Sequence, residues 1–245
     1  MKRVLLTLTF DGTAYHGWQV QENAVTVQET VQDALEKLLG TRPQLTGCSR
    51  TDAGVHARRF CCHLDCEESI PHAAFLKGLN SILPKDVAVL SCEEVPHDFH
   101  ARYDCKGKTY VYRMYQNSVH DPFLRNYALR LDQPLDLERC NEFCQSLVGT
   151  HDFLPFSSSG RTVTDTVRTI KDCRVYEKDG AYELSVTADG FLYNMVRIVV
   201  GTTLAVSQGR REPSCAAEIF ETKRRELAGE TAPPQGLYLQ EVYYK

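Results

Sequence analysis

The sequence lacks the excess of positive charge that is typical of nucleic-acid-binding proteins. Its 245 residues carry 28 Lys and Arg against 32 Asp and Glu, a formal net charge of −4, and the pI is near 6.1. Taken alone, this balance argues against RNA or DNA as the ligand. Residues 1–104 carry 10 basic and 14 acidic side chains, whereas residues 105–245 carry 18 of each. All of the net negative charge therefore lies in the first part of the chain.

Long hydrophobic runs are also absent. No stretch approaches the roughly 20 apolar residues of a membrane span. The first six residues resemble the beginning of a signal peptide, but Thr7 and Thr9 interrupt the apolar run and Asp11-Gly12 follows where a cleavage site would be needed. We therefore expect a soluble, cytoplasmic protein that does not associate with membranes.

The ten cysteines lack the C-x-x-C spacing of a metal site. Cys61 and Cys62 are adjacent on a strand-like run, so their side chains would face opposite sides of a sheet. Cys140 and Cys144 have helical i, i+4 spacing, which two small buried apolar groups explain better than a metal pair does. The pattern favours cysteine as core filling, with no metal.

Apolar periodicity predicts the element order β-α-β-β-α-β in the first part of the chain. Val4, Leu6 and Leu8 alternate as one face of a strand. Thr26 and Glu29 form a capping-box signature before a helix that Gly40 can end. The remaining elements are predicted as strands at 45–48, 60–64 and 87–95 and a helix at 71–82.

The second part of the chain repeats that order, beginning with a strand around Tyr110. The further elements are predicted as helices at 137–147, 191–206 and 215–227, a hairpin of 167–175 and 182–188 turned by Asp179-Gly180, and a strand at 237–244. Ferredoxin-like units in tandem are the simplest account. We expect an α+β protein with domains at 1–104 and 105–245, whose antiparallel sheets join around a central cleft.

The polar segment 47–56 is the most informative stretch. Asp52 is followed by Ala53-Gly54, small residues that would let a flat substrate approach the carboxylate closely. An ordinary tight turn has the same composition, and spacing alone favours that interpretation. Arg50 and His56 add only modest support for a functional site. No serine stands in a nucleophile elbow, and the H-x-E and P-C-x-x-C pair of the zinc deaminases is missing.

Tyr110 and Tyr112 share one face of a predicted strand, just after Lys106 and Lys108. Aromatic rings on a sheet with nearby cations can stack on bases and hold phosphates. Tyrosines at period two are, however, usually no more than strand formers.

Arg197 lies in the otherwise apolar segment 191–201. An arginine held among apolar groups needs a carboxylate or phosphate partner, since an uncompensated buried charge costs several kcal/mol. Asp52 is a natural candidate, and such a pair would keep the carboxylate ionised. A side chain that extends to solvent at the domain edge is an equally good explanation.

Six ordered motifs together resemble the bacterial tRNA pseudouridine synthases of the TruA type, over nearly the whole chain. They are residues 11–19 with Gln21, Arg50 to His56, Asp98 to Arg102, Lys108 to Tyr112, Met195 to Arg197 with Gly201, and Gly236 to Leu239. The chain departs from the usual pattern at Cys48-Ser49, where Ala-Gly is more common, and at Tyr193-Asn194, which replaces a more basic pair.

The resemblance implies the pseudouridine synthase fold and the isomerisation of uridine to pseudouridine at positions 38, 39 and 40 of the tRNA anticodon arm, without cofactor or metal. It implies that Asp52 is the nucleophile, that Tyr110 stacks on the target base and assists proton removal at C5, and that Arg197 pairs with the aspartate. It also implies that Arg50 helps the target nucleotide out of its stack.

Further expectations concern binding and assembly. Substrate contacts are expected from Arg58, Arg102, Lys106 and Lys108, and the family implies a homodimer whose two subunits share the RNA. The clusters Arg210-Arg211 and 223–225 could also contact phosphates, although the second is better explained as a solvated helix face.

Two other functions stay open at this point. A non-catalytic RNA-binding protein could use tandem sheets as a stacking platform, but it would gain nothing from Asp52 near the RNA backbone. A glycosidase-like hydrolase that releases uracil would ordinarily need two carboxylates, and no second one accompanies Asp52 in its motif.

Overall fold

The computed structural model describes residues 1–67, 69–160 and 163–245. Its residue contacts divide the chain into two compact units. The N-terminal unit comprises residues 1–106 together with 238–245, and the C-terminal unit comprises residues 107–237.

The N-terminal unit has the β-α-β-β-α-β order that the periodicity predicts. Its elements are β1 (Lys2–Phe10), α1 (Val27–Leu39), β2 (Thr46–Gly47), β3 (His56–Cys66), α2 (His72–Ile82) and β4 (Val87–Val95). Strand β1 lies between β3 and β4 and is antiparallel to both, and β2 pairs with β3. This is the sheet order of a ferredoxin-like unit, so the predicted fold class is confirmed here.

Local sequence signals explain where α1 begins and ends. The Thr26 hydroxyl accepts a hydrogen bond from the Glu29 backbone N–H, and Gly40 ends the helix in the left-handed conformation, with φ of 74°. Both are the capping features that Thr26, Glu29 and Gly40 predict. Val31 and Leu35 are fully buried along the apolar stripe of the helix.

The C-terminal unit combines further strands with helices. Its elements are β5 (Gly107–Gln116), β6 (Leu129–Leu131), α3 (Leu137–Ser146), β7 (Gly149–Asp152), β8 (Val167–Lys178), β9 (Ala181–Ala188), α4 (Met195–Ser207) and α5 (Cys215–Thr222). Strands β5, β9, β8 and β7 are antiparallel neighbours in that order, and β6 pairs in parallel with β5. The short strands β6 and β7 carry no periodicity long enough to predict them.

The predicted hairpin of β8 and β9 is confirmed. Asp179 and Gly180 have φ of 53° and 74°, which suits the two-residue turn that joins twisted antiparallel strands.

The last strand, β10 (Leu237–Tyr243), pairs in parallel with β3 through Tyr238 and Leu239.

Two predicted helix bounds were wrong. Helix α4 begins at Met195 and not at residue 191, because Asn194 has φ of 61° and cannot continue a right-handed helix. Helix α5 ends at Thr222 and not at residue 227, because Lys223 has φ of 56°; a short 3-10 turn follows at 225–227. The predicted strand at 45–48 is shorter, with only Thr46–Gly47 paired.

Most of the cysteines are core residues, as their spacing predicts. All ten are thiols and seven of them are buried. Burial raises the pKa of Cys61 to about 11 and that of Cys140 to about 12, so neither is a thiolate nucleophile at neutral pH. Within the described ranges, no group of His, Cys, Asp and Glu side chains could hold a metal ion. Nor does any described helix combine the length and apolar character needed to cross a membrane.

Candidate active site

Asp52 lies in the loop that joins β2 to β3. The backbone N–H of Val55 donates to the Asp52 carbonyl at 3.1 Å, and Gly54 completes the turn with φ of 78°. Thr51 is buried, whereas Asp52 is half-buried. The loop is therefore a tight turn, as its small residues indicate, and it carries one partly accessible carboxylate.

The motif of residues 11–19 packs directly against this loop. The N–H of Trp18 donates to the Thr51 carbonyl at 3.2 Å, and the N–H of Gly54 donates to the Tyr15 carbonyl at 3.1 Å. Trp18 is itself buried and stacks on Phe60 of β3 at 4.1 Å. These contacts tie the backbone on both sides of Asp52 to the unit core.

Two glycines make this close approach possible. A Cβ on Gly12 would lie 2.0 Å from the Val55 carbonyl oxygen, and a Cβ on Gly17 would lie 2.2 Å from the Thr51 carbonyl oxygen. Gly17 also has φ of 82°, which L side chains rarely adopt. Sequence reasoning singled out both motifs but not their contact; the glycines within residues 11–19 are the signal that could have indicated it.

His56 has a structural role at the start of β3. It is 2% exposed, its Nδ1 accepts the Gly12 N–H at 3.0 Å, and its ring stacks on Tyr238 of β10 at 4.7 Å. An Asp11 carboxylate oxygen lies 3.2 Å from the same Nδ1, and it also accepts from the backbone N–H and the hydroxyl of Thr13.

Tyr110 and Tyr112 occupy one face of β5 but have different environments. The Tyr112 hydroxyl donates to the Pro233 carbonyl at 2.7 Å, and burial raises its pKa. Tyr110 meets the ring of Phe191 edge-on, with centroids 5.0 Å apart. Tyr112 is thus a structural tyrosine, and Tyr110 is the one that an aromatic neighbour orients.

Arg197 lies in the first turn of α4, where two local acceptors hold its guanidinium. Its Nε donates to the Ala232 carbonyl at 2.7 Å and its Nη1 donates to the Asn194 side-chain oxygen at 2.9 Å. The Ala232 N–H in turn donates to the Arg197 carbonyl at 3.0 Å. The predicted pairing with Asp52, which belongs to the N-terminal unit, stays a prediction.

Backbone packing places the Ala232 carbonyl. A Cβ on Gly201 of α4 would lie 1.8 Å from the Glu230 carbonyl oxygen, so only glycine allows the segment before Ala232 to cross the helix so closely. Asn194 adds a second support, since its amide donates to the Ser158 hydroxyl at 2.9 Å. Sequence reasoning noted Gly201 and Asn194 but did not identify them as supports for Arg197.

The predicted substrate-contact cations differ in exposure. Arg50, Arg58, Arg102 and Lys106 are exposed, whereas Lys108 is only 8% exposed. The Arg58 guanidinium lies 5.3 Å from the Tyr238 ring centroid, within cation–π range. Each contact with RNA stays a prediction.

The side chains of residues 223–225 have partners within the C-terminal unit. Lys223 pairs with Asp152 at 2.7 Å, and Arg224 pairs with Glu226 at 2.6 Å. Arg225 donates to the Gly229 carbonyl at 2.8 Å. Helix α5 ends at Thr222, so these residues do not form the solvated helix face that was predicted.

Comparison with known proteins gives one consistent family. A family model described as tRNA pseudouridine synthase matches residues 7–104 and 143–245. Proteins named tRNA pseudouridine synthase A from Clostridium acetobutylicum and Ruminiclostridium cellulolyticum are each 44% identical to this chain, over 100% of both sequences. The Acetivibrio thermocellus protein of the same name is 43% identical over the same full length.

A solved structure of a Cbf5–Nop10–Gar1 complex is a distant neighbour. It is 11% identical, with a TM-score of 0.38, and the match covers 81% of this chain and 53% of that chain. This likeness is too low to support a statement about the fold.

Proposed function

The chain belongs to the tRNA pseudouridine synthase family, and from that membership we propose that it isomerises uridine to pseudouridine in tRNA, at positions 38, 39 and 40 of the anticodon arm. The observation that carries the proposal is the 44% identity over the full length of chains named for this activity. The predicted pseudouridine synthase fold and isomerase class follow from the same family membership.

The reaction exchanges one bond to the sugar for another. The bond from C1′ to N1 of uracil breaks, the base turns within the site, and C1′ forms a new bond to C5. The C5 proton is lost and N1 gains a proton, so no oxidant or reductant is needed. Asp52 is the proposed catalytic carboxylate, either as a nucleophile that attacks the base at C6 or the sugar at C1′, or as a base that removes a sugar proton.

The position of Asp52 supports this role. Backbone contacts hold Thr51 and Gly54 on either side of it, so the carboxylate starts from a fixed main chain. A catalytic group held in this way loses little conformational entropy when the substrate binds.

Arg197 and Tyr110 are the proposed partners in the reaction. Two hydrogen bonds fix the direction of the Arg197 guanidinium, as expected of a group that must stabilise a carboxylate. The Phe191 ring orients Tyr110, which suits a residue that stacks on the target base and assists proton removal at C5.

The remaining proposals concern binding, assembly and location. Arg50 is proposed to fill the space that the flipped nucleotide leaves, and Arg58, Arg102, Lys106 and Lys108 to contact the substrate. We also propose a cytoplasmic homodimer with domains at 1–104 and 105–245, and a reaction that needs no cofactor or metal.

The deciding experiment is tritium release from C5-labelled uridine in tRNA transcripts. Wild-type protein is expected to release tritium, and Asp52→Asn is expected to abolish the release while tRNA still binds. Turnover near wild type in Asp52→Asn would exclude the nucleophile assignment. A wild-type protein that binds tRNA and releases no tritium would indicate a pure binding protein, and accumulation of free uracil would indicate a hydrolase.

A further inference from the structure

Tyr103 has an unusual position for a large aromatic residue. It follows directly after the motif Asp98 to Arg102 and is 76% exposed. Part of its ring packs on the His100 imidazole, with centroids 4.2 Å apart and planes inclined by 31°. The Arg102 guanidinium carbon lies 6.0 Å from the centroid of the same ring. An aromatic ring, a supporting ring and a cation therefore lie together at the surface.

The supporting ring is held firmly. The backbone N–H groups of Arg102 and Tyr103 both donate to His100 Nδ1, at 3.1 and 3.2 Å. The backbone N–H of His100 donates to the Asp104 carboxylate at 2.6 Å. These bonds close a tight turn, so the Tyr103 ring rests on an imidazole of fixed orientation.

A third ring continues the arrangement into the core. His63 of β3 is buried, and its ring meets His100 edge-on at 5.1 Å. Its Nδ1 accepts the Ala101 N–H at 3.1 Å. Burial lowers the pKa of His63 to about 4, with smaller effects from Arg3 and His100, so the inner ring is uncharged at neutral pH. The three rings form a series from core to solvent that ends in the exposed Tyr103.

We propose that Tyr103, supported by His100 and flanked by Arg102, stacks on an unpaired nucleobase of the bound tRNA. The inference rests on the proposed function, which supplies the RNA. Aromatic side chains beside cations bind splayed-out bases because every base has a π-face, and the cation adds attraction to base or phosphate.

The surroundings of Tyr103 favour a nucleobase over a protein partner. Most exposed side chains near it in the chain are charged or polar, namely His97, Asp98, Arg102 and Lys106. The core of a protein interface is depleted in charged residues. One ring with an adjacent cation suits a single base better than an apolar protein surface.

The test compares variants at Tyr103 by their affinity for a tRNA transcript. Tyr103→Ala and Tyr103→Leu, which lack a π-face, are expected to weaken binding on the order of 10-fold. Tyr103→Phe and Tyr103→Trp are expected to bind like wild type. Because the side chain is 76% exposed, all four variants should keep the thermal midpoint of the wild type. Wild-type affinity in Tyr103→Leu, or a loss in Tyr103→Phe equal to that in Tyr103→Ala, would overturn the proposal.

Phe123 supplies a matched control. It is 86% exposed and belongs to the C-terminal unit. Phe123→Ala is expected to bind tRNA like wild type. An equal loss there would show that removal of any exposed ring weakens binding, which would overturn the assignment to Tyr103.

Tyr103→Trp also gives a direct signal. The chain has a single tryptophan, Trp18, which is buried, so a new surface tryptophan reports on its own surroundings. Added tRNA is expected to quench its fluorescence beyond any change in the wild type. No additional quenching, or a changed oligomeric state in Tyr103→Ala with unchanged tRNA affinity, would contradict the stacking role. A wild-type protein that neither binds nor modifies tRNA would instead overturn the proposed function.

Discussion

Two tyrosines that the sequence treats alike have different surroundings in the structure. Tyr110 and Tyr112 are both buried on β5, and both have the spacing of ordinary strand residues. The Tyr112 hydroxyl donates to Pro233, whereas Tyr110 lies against Phe191 at the approach to α4. Only the environment separates the structural residue from the candidate for chemistry.

We expect Tyr110→Phe to lose turnover on the order of 100-fold or more, because it removes a hydroxyl that would assist proton transfer, while the ring still stacks and tRNA affinity is unchanged. Tyr176→Phe in β8, which removes a hydroxyl bonded to Glu183, is the control and should keep full turnover. The measurement is single-turnover tritium release. Full activity in Tyr110→Phe would limit Tyr110 to a stacking role.

His63 should make stability depend on pH. Its pKa is lowered from 6.5 to about 4 in the folded state, mainly by burial, so the unfolded chain binds more protons between these values. Stability from this group is complete above about pH 6.5 and is lost as the pH falls towards about 4, by up to about 3 kcal/mol.

Denaturant unfolding at pH 7.5 and pH 4.5 would measure this dependence. His63→Gln should lose less stability than wild type between the two pH values, because its amide does not titrate. His120→Gln, at an exposed position, should behave like wild type. Equal pH dependence in all three proteins would contradict the assignment to His63.

At the scale of elements, the backbone position of the loop that carries Asp52 depends on residues 11–19, which pack against it. Gly17 has φ of 82°, and a Cβ there would press against the Thr51 carbonyl. Gly40 has a similar φ of 74°, but an added Cβ there would meet no heavy atom within 4 Å. A comparison of alanine substitutions at Gly17 and Gly40 therefore separates the cost of the left-handed backbone from the cost of the steric contact.

We expect Gly40→Ala to cost about 1 kcal/mol for the left-handed conformation alone. Gly17→Ala should cost about 1–3 kcal/mol more and should lower turnover, because the backbone before Asp52 must move. Thermal unfolding and tritium release on the same samples would show both effects. If Gly17→Ala were as stable and active as Gly40→Ala, the close packing would not matter for the site.

Predicted elements were most accurate where the signal was local. The strand Val87–Val95 and the start of α1 were found as predicted, since alternation and capping act within a few residues. The start of α4 was wrong because apolar periodicity continues through residues 191–194 while Asn194 adopts a left-handed conformation. Its side chain meets both Ser158 and Arg197, and no local pattern shows those partners.

At the scale of the whole molecule, the net charge of −4 was a poor guide to the ligand. The family is one of tRNA-modifying enzymes, although the chain is acidic overall. Exposed cations such as Arg50, Arg58 and Arg102 can act locally, because salt screens charges more than about 10 Å apart. An enzyme that must release its RNA gains nothing from a uniformly basic surface.

We expect the protein to be a homodimer, so light scattering should give twice the 27.7 kDa mass of the chain. A dimer would double the cationic surface that a single tRNA meets. The mass should be measured at the protein concentration of the activity assay. Full turnover by a species of single-chain mass would contradict the homodimer.

The sequence by itself determined the element order of the N-terminal unit, the family and the choice of Asp52, because periodicity, capping and ordered motifs are local properties of the chain. The tertiary structure decided which backbone supports that loop, which carbonyl orients Arg197 and which ring supports Tyr103. Gly17 with Thr51, Arg197 with Ala232 and His63 with His100 are pairs distant in sequence. Such contacts depend on how the elements pack, and packing leaves no periodic signal in the sequence.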